Sequence, residues 1–311
     1  MAHDVLVMGS FVADLAFRTP RLPAWGETLM GGTFALGPGG KGSNQAVAAA
    51  RAGAKVRFFS KLGDDAFGKM ARDIWRQSGI DDSLTGTCGE ATGAAAILID
   101  AARGEKNAII VVPGACFTLT PEEVDAASAA IRSASVFLTQ LELSAATVQR
   151  GLEIARAAGV TTILNPAPVP ASPLSKELIA LSDYFIPNET EAALLTEMPV
   201  ESVDQAEKAA DSLIASGAKN VILTLGGRGS LLRMRDGKST LIPAVNAGPV
   251  LDTTGAGDAF CGAFAAGLAE GFDAAKAARF ASACAGISVT RPGTAPSMPL
   301  RAEIDAVLRP L

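Results

Sequence analysis

The chain has 311 residues, 49% of them hydrophobic and 19% charged, with 27 basic against 32 acidic side chains and a formal charge of −5. That length is about twice a common domain, which an α/β chain can still close around one core, and the apolar fraction excludes a disordered or fibrous protein. The single histidine, His3, leaves no material for a Ser-His-Asp triad or a histidine-rich metal site, and no Lys/Arg run is dense enough to engage nucleic acid.

Residues 4–9 (DVLVMG) read as a buried strand. Residues 14–37 lack a helical period and hold Pro20, Pro23 and several glycines, which suits short exposed strands and turns. A helix over 42–52 stops at Gly53, a strand follows at 55–60, and a second helix covers 65–78. Residues 94–100 and 107–112 flank the polar turn 102–106 as a hairpin, a second small β patch apart from the helical units. Thr120, Pro121 and Glu123 start a helix to about 132. Strand 135–139, helix 145–158, strands 161–165 and 184–186, helix 202–216 and strand 220–225 then alternate. This spacing predicts a mostly parallel sheet covered on both faces. A hairpin about Asp236-Gly237 and two Ala/Gly-rich helices, 256–269 and 274–289, complete the core.

Cys88, Cys116, Cys261 and Cys284 form no C-x-x-C pair and read as buried thiols of a reducing compartment. The longest uncharged stretch, 157–175, carries four prolines and cannot span a membrane. The first strand lacks a basic lead-in, so the expectation is a cytoplasmic protein without a signal peptide.

Four motifs bear on chemistry. Residues 252–258 (DTTGAGD) run into a helix, where small residues and the helix dipole suit an anion and Asp258 would face it; a plain helix cap is the other reading. Residues 37–42 match G-x-G-x-x-G but do not follow a strand directly, and they fail the P-loop spacing. A backbone loop delivering Lys41 and Asn44 to a ligand, a simple turn, or a nucleotide fold of an NAD-linked oxidoreductase remain open there. Asn188 and Glu191 suit either a hydrated Mg²⁺ or a capping box. Residues 223–229 (LTLGGRG), at a strand end, suit a nucleotide or a turn, and Glu142 is a surface acid or a ligand acceptor.

Taken together, residues 39–46 (GGKGSNQA), 165–168 (NPAP), 188–191 (NETE), 224–226 (TLG) and 252–258 resemble, in this order, the PfkB carbohydrate kinases, most nearly their ribokinase branch. The resemblance runs almost end to end. It implies a three-layer α/β/α sandwich with a nine-stranded type of mostly parallel sheet and a β-sheet lid formed by about 14–37 and 94–112. It implies that Asp258 takes the proton of the sugar's primary hydroxyl while Gly255, Ala256 and Gly257 form an anion hole for the γ-phosphate. Val12, Asp14, Gly40, Lys41, Gly42, Asn44 and Glu142 would hold the sugar. Asn188, Thr224, Gly226, Arg228, Gly229, Gly257 and Ser282 would line the ATP site, and Glu191 would order Mg²⁺ through water. Asp252, Thr254, Ser288, Arg291, Gly293 and Ser297 correspond to a loop for an activating K⁺. Homodimerisation through the lid is the implied assembly, and a non-catalytic sugar sensor is the alternative that the intact 255–258 segment opposes. Where ribokinases usually carry asparagine the chain has Val12, which weakens the expected preference for ribose over 2-deoxyribose or another furanose. Cys116 and Cys261 also replace a common asparagine.

Overall fold

The computed structural model describes residues 4–103 and 106–309. Strands Lys55–Phe59, Asp4–Met8, Val136–Thr139, Thr161–Leu164, Tyr184–Phe185 and Asn220–Thr224 lie side by side in parallel, and Ser230–Met234 and Ser239–Ile242 extend the sheet antiparallel. The sheet therefore has eight strands among the described residues, not the nine expected. Its first strand explains why both faces must be covered. Val5 and Val7 point into one core with helices Lys41–Arg51, Ala256–Ala269 and Ala274–Ser288, while Leu6 and Met8 point into another with helices Ala145–Ala157 and Val203–Ala215. Alternating side chains leave a strand apolar throughout only when both sides are buried.

The Ala/Gly-rich composition of the late helices is a packing requirement. A Cβ on Gly262 would stand 2.3 Å from the Gln45 carbonyl oxygen, so helix Ala256–Ala269 lies against helix Lys41–Arg51 at backbone contact. The same device joins that second helix to the first strand: a Cβ on Gly42 would fall 2.6 Å from both Gly9 Cα and Ser10 N. Side chains are excluded there by close approach.

The two irregular β patches join into one small sheet, ordered Thr33–Gly39, Val12–Thr19, Thr92–Asp100, Lys106–Gly114, with antiparallel outer pairs and a parallel pair between the middle strands. Pairing reaches 12–39 and 92–114, two residues beyond the expected limits at each end. In the 102–106 turn, Ala101–Arg103 form a short 3₁₀ turn, and Gly104 and Glu105 lie outside the described residues, as does His3. The single helix expected from Thr120 to about 132 is two, Pro121–Ala126 and Ser128–Ser133. The capping box at Thr120 is present, but at Ala127 the ladder tightens to an Ala130 N–H to Ala127 carbonyl bond, and the chain bends while Val124 and Ile131 stay buried. No helix among the described residues is long and apolar enough to cross a membrane.

Candidate functional site

The site grows at the carboxyl ends of the parallel strands, where each strand hands the chain to a loop carrying polar groups. After Asp4–Met8 comes Ser10, after Val136–Thr139 come Gln140 and Glu142, after Thr161–Leu164 comes Asn165, and after Tyr184–Phe185 comes Asn188. Helix Lys41–Arg51 is laid across these ends by the Gly9–Gly42 contact. Its first N–H, from Lys41, donates to Glu142 Oε2 at 2.8 Å, and Ser10 Oγ donates to the same oxygen. Glu142 is thus a recessed acid tying three loops together, not a surface one.

Asp258 lies in the first turn of helix Ala256–Ala269, 7% exposed. Asn44 Nδ2 donates to its Oδ2 at 3.0 Å and Gln45 Nε2 to its Oδ1 at 2.9 Å. The helix opens on Gly255, left-handed at φ 78°, with no side-chain cap, and a Cβ on Gly257 would meet nothing within 4 Å. Uncapped N–H groups beside open space are what an anion requires. The capping alternative for Asp258 is not what the geometry shows, because both carboxylate oxygens face the amides of another helix.

Strand Val12–Thr19 brings Asp14 to the same place. Its carboxylate fits because Gly39 lacks a side chain: a Cβ there would be 2.2 Å from Oδ2. Burial, then Glu142, then Asp258 push the Asp14 carboxyl up to about 6. Burial raises Glu142, Glu191 and Asp258 as well. Lys41 is the cation among them: burial works against its charge, but Asp258, Glu142 and Glu191 more than offset this and move it up. Val12, 4% exposed, is two residues from Asp14 in the same strand and so shares its face.

Asn188 and Glu191 form the capping box, with reciprocal 2.8 Å bonds between each backbone N–H and the other's side chain. Only one Glu191 oxygen is engaged in this box among the described residues, and its carboxylate senses Lys41 and Asp258. The capping-box reading of the motif is thus present. Thr224 bridges to Asn188, and Gly226–Arg228 turn in a 3₁₀ loop whose Arg228 is held by Glu189 and, at 2.6 Å, by the Glu201 carbonyl. Gly229 has no room for a side chain beside the Ile242 carbonyl. Ser282 is buried midway along Ala274–Ser288.

Asp252 fastens two loops, accepting from Thr254 N–H and Gly293 N–H, both at 2.9 Å. Burial opposes its charge, but these bonds hold the carboxyl below its ordinary value. Ser288 and Ser297 hydroxyls donate inward to the Ala285 and Thr294 carbonyls, and Arg291 pairs with Glu303. These three side chains are engaged within the protein. Cys116 and Cys261 are buried, and burial pushes the Cys116 thiol up to about 12. Among the described residues no three His, Cys, Asp or Glu side chains cluster to chelate a metal directly.

The family model of the pfkB carbohydrate kinases matches residues 2–301. The chain belongs to the pfkB family of carbohydrate kinases. Among curated relatives of this carbohydrate kinase, a ribokinase of Haemophilus influenzae is 40% identical over 97% of each chain, and a deoxyribokinase of Salmonella typhi is 38% identical over 95% of each. Among solved structures, a ribokinase of Arabidopsis thaliana complexed with ribose and ATP superposes with a TM-score of 0.94 at 34% identity, covering 99% of each chain. The G-x-G-x-x-G reading falls at the same point: residues 37–39 end a strand of the small sheet, not a strand of the central one. Sequence reasoning passed over Ser10, Gln45 and Gln140, although each is a polar residue at a strand end or within a quoted motif.

The raised carboxyl of Asp14 has a consequence for stability. Its folded value of about 6 exceeds the ordinary 3.8, so its stabilising contribution is complete below about pH 4 and is lost as pH rises through about 6. Asp14→Asn is expected to stabilise the ligand-free protein by about 2 kcal/mol at pH 7.5 and hardly at all at pH 4. Thermal unfolding of both proteins at the two pH values checks this, and equal shifts would contradict it.

Proposed function

We propose that this kinase transfers the γ-phosphoryl group of ATP to the primary hydroxyl of a furanose, with D-ribose giving ribose 5-phosphate. The observation that carries the reading is the pairing of Asp258 with an uncapped glycine-rich helix start in one recess. Phosphoryl transfer asks the protein mainly for alignment and charge stabilisation. Asp14, Lys41 and Asn44, whose buried Oδ1 has no partner, hold the sugar beside Asp258 with the backbone at Gly40 and Gly42. As the sugar oxygen bonds to phosphorus, its proton passes to the Asp258 carboxylate and the bond to the ADP oxygen breaks. The N–H groups at 255–257 face the charge building on the transferring group. Thr224, Gly226 and Gly229 shape the loop on which the nucleotide lies.

Glu191, with one oxygen engaged in its capping box, fits a water-mediated hold on Mg²⁺, which would neutralise phosphate charge. The loops that Asp252 joins offer backbone oxygens and one carboxylate, a donor set that suits a weakly hydrated K⁺. A monovalent cation there would stiffen the segment leading into Gly255.

A second sugar is favoured by one observation. Val12 places an apolar group on the face that carries Asp14, where a polar side chain would reward an additional sugar hydroxyl. On this ground 2-deoxyribose is the competing substrate, and a deoxyribokinase stands among the relatives at nearly the identity of the ribokinase.

The small sheet also supports a reading of the assembly. Four successive residues of its edge strand, Ile109, Ile110, Val111 and Val112, are more than half exposed, as is Phe34 on the opposite edge. Free edges with apolar residues on both faces are stabilised by pairing with a second copy, and we read this sheet as both lid and dimer contact.

Asp258→Asn should lower kcat by about 10³-fold while both substrates still bind, measured by coupled ADP release and calorimetry. Near-normal turnover would defeat the assignment. In the same assay, run with potassium or sodium, ribose and 2-deoxyribose should differ by less than about tenfold in kcat/KM, and Val12→Asn should move the ratio about tenfold toward ribose. An unchanged ratio would dismiss Val12 as a determinant. Light scattering should return twice the chain mass of 31.6 kDa, falling to one chain in Ile110→Lys; a monomeric parent would refute the lid contact.

A further inference from the structure

Behind Asp258 lies a chain of buried amides that no step above uses. Gln45 is fully buried, Gln140 is 1% exposed and Asn165 is 8% exposed. Asn165 Nδ2 donates to the Ile186 carbonyl at 2.8 Å. That carbonyl can only accept, so the Asn165 amide has one orientation and its Oδ1 must face Gln45. Gln45 Nε2 donates to that oxygen at 3.1 Å and, with its other hydrogen, to Asp258 Oδ1 at 2.9 Å. Gln140 Nε2 donates to Gln45 Oε1 at 2.7 Å. Gln140 itself is admitted by Gly9, where a Cβ would lie 2.3 Å from its Oε1.

We propose that Gln45 is a positioning residue for Asp258, and that Gln140 and Asn165 lock its amide so that an N–H, never the carbonyl, faces the carboxylate. The lock matters because a glutamine amide is nearly symmetrical in shape. Turned over, its carbonyl would oppose a carboxylate oxygen between two buried groups, and the base would be driven to rotate or protonate. Held as it is, Gln45 fixes Oδ1 and favours the ionised base, while the remaining lone pairs stay free for the sugar's proton. The other groups bearing on Asp258 are Lys41 on the facing helix, Asp14 on the small sheet, Glu142 beyond strand Val136–Thr139, Glu191 at the start of helix Glu189–Thr196 and Cys261 one turn along its own helix. Three of these are carboxyl groups, and only Lys41 is cationic. The amides therefore supply donors where the charge balance is against the anion.

The inference rests on the kinase reading, and its test separates the two. In Gln45→Met, similar in size but without a donor, kcat should fall roughly thirtyfold with KM for sugar and ATP nearly unchanged. The acid limb of its pH profile should move up by about one unit. Gln140→Leu, which does not touch Asp258, should move the limb in the same direction by a smaller amount. A purely structural role would lower activity equally at every pH, so limbs coinciding with that of the parent would overturn the proposal. If Gln45→Met fails to fold, the Gln140→Leu profile decides. Should the parent phosphorylate no sugar, the kinase reading fails alone. Carbon-13 titration of the Asp258 carboxyl in parent and variants then reads the lock without turnover, and an unmoved titration overturns it.

Discussion

Everything at the site depends on the contact of two glycines. Gly9 ends the first strand and Gly42 begins the crossing helix, and no Cβ fits between them. Because the helix can settle onto the strand end, its first turn presents Lys41, Asn44 and Gln45 to the loops of four neighbouring strands. Gly9 also leaves the space that Gln140 occupies. One backbone approach thus sets both the position of the polar helix face and the layer of amides beneath it, and Gly262 repeats the device on the helix that carries Asp258.

The electrostatics follow from that geometry. Glu142, Glu191 and Asp258 bear on Lys41, Asp14 adjoins Glu142 and Asp258, and burial raises each of the four carboxyls. Such a cluster is a poor way to stabilise a fold, since like charges with reduced solvation repel. It is a sensible way to hold a neutral, hydroxyl-rich molecule, whose donors satisfy carboxylates, beside a cation and N–H groups that face phosphate oxygens. The stability forgone in the empty protein is regained when ligands supply the missing hydrogen bonds.

Much of this was legible in the chain. The alternation of apolar strands and capped helices prescribed a covered parallel sheet, and the 252–258 motif singled out Asp258 as a candidate, with a plain helix cap as the competing reading. What stayed hidden was whatever depends on contacts distant in sequence. Residues 12–19 and 92–100 pair in parallel across more than seventy residues, which no local pattern announces. The bend at Ala127 escaped because alanine continues a helix as readily as it ends one. Gln45 and Gln140 escaped for a different reason: an amide carries no charge, has no motif chemistry of its own, and gains meaning only from the atom it faces.

On the proposed reading, Val12 and Gln45 separate selectivity from catalysis in this architecture. Val12 belongs to the small sheet, whose edge strands are exposed. Gln45 belongs to the interior, hydrogen-bonded to the Gln140 and Asn165 amides. On that reading, a change at Val12 would alter which hydroxyls are rewarded while the amides around Asp258 stay in place, and a change in the amide layer would alter the base for every sugar alike. Substrate range would then drift on the outer sheet while the proton-accepting group is held by the core, so that the choice of sugar would turn on Val12 and the reaction type on the helix starts.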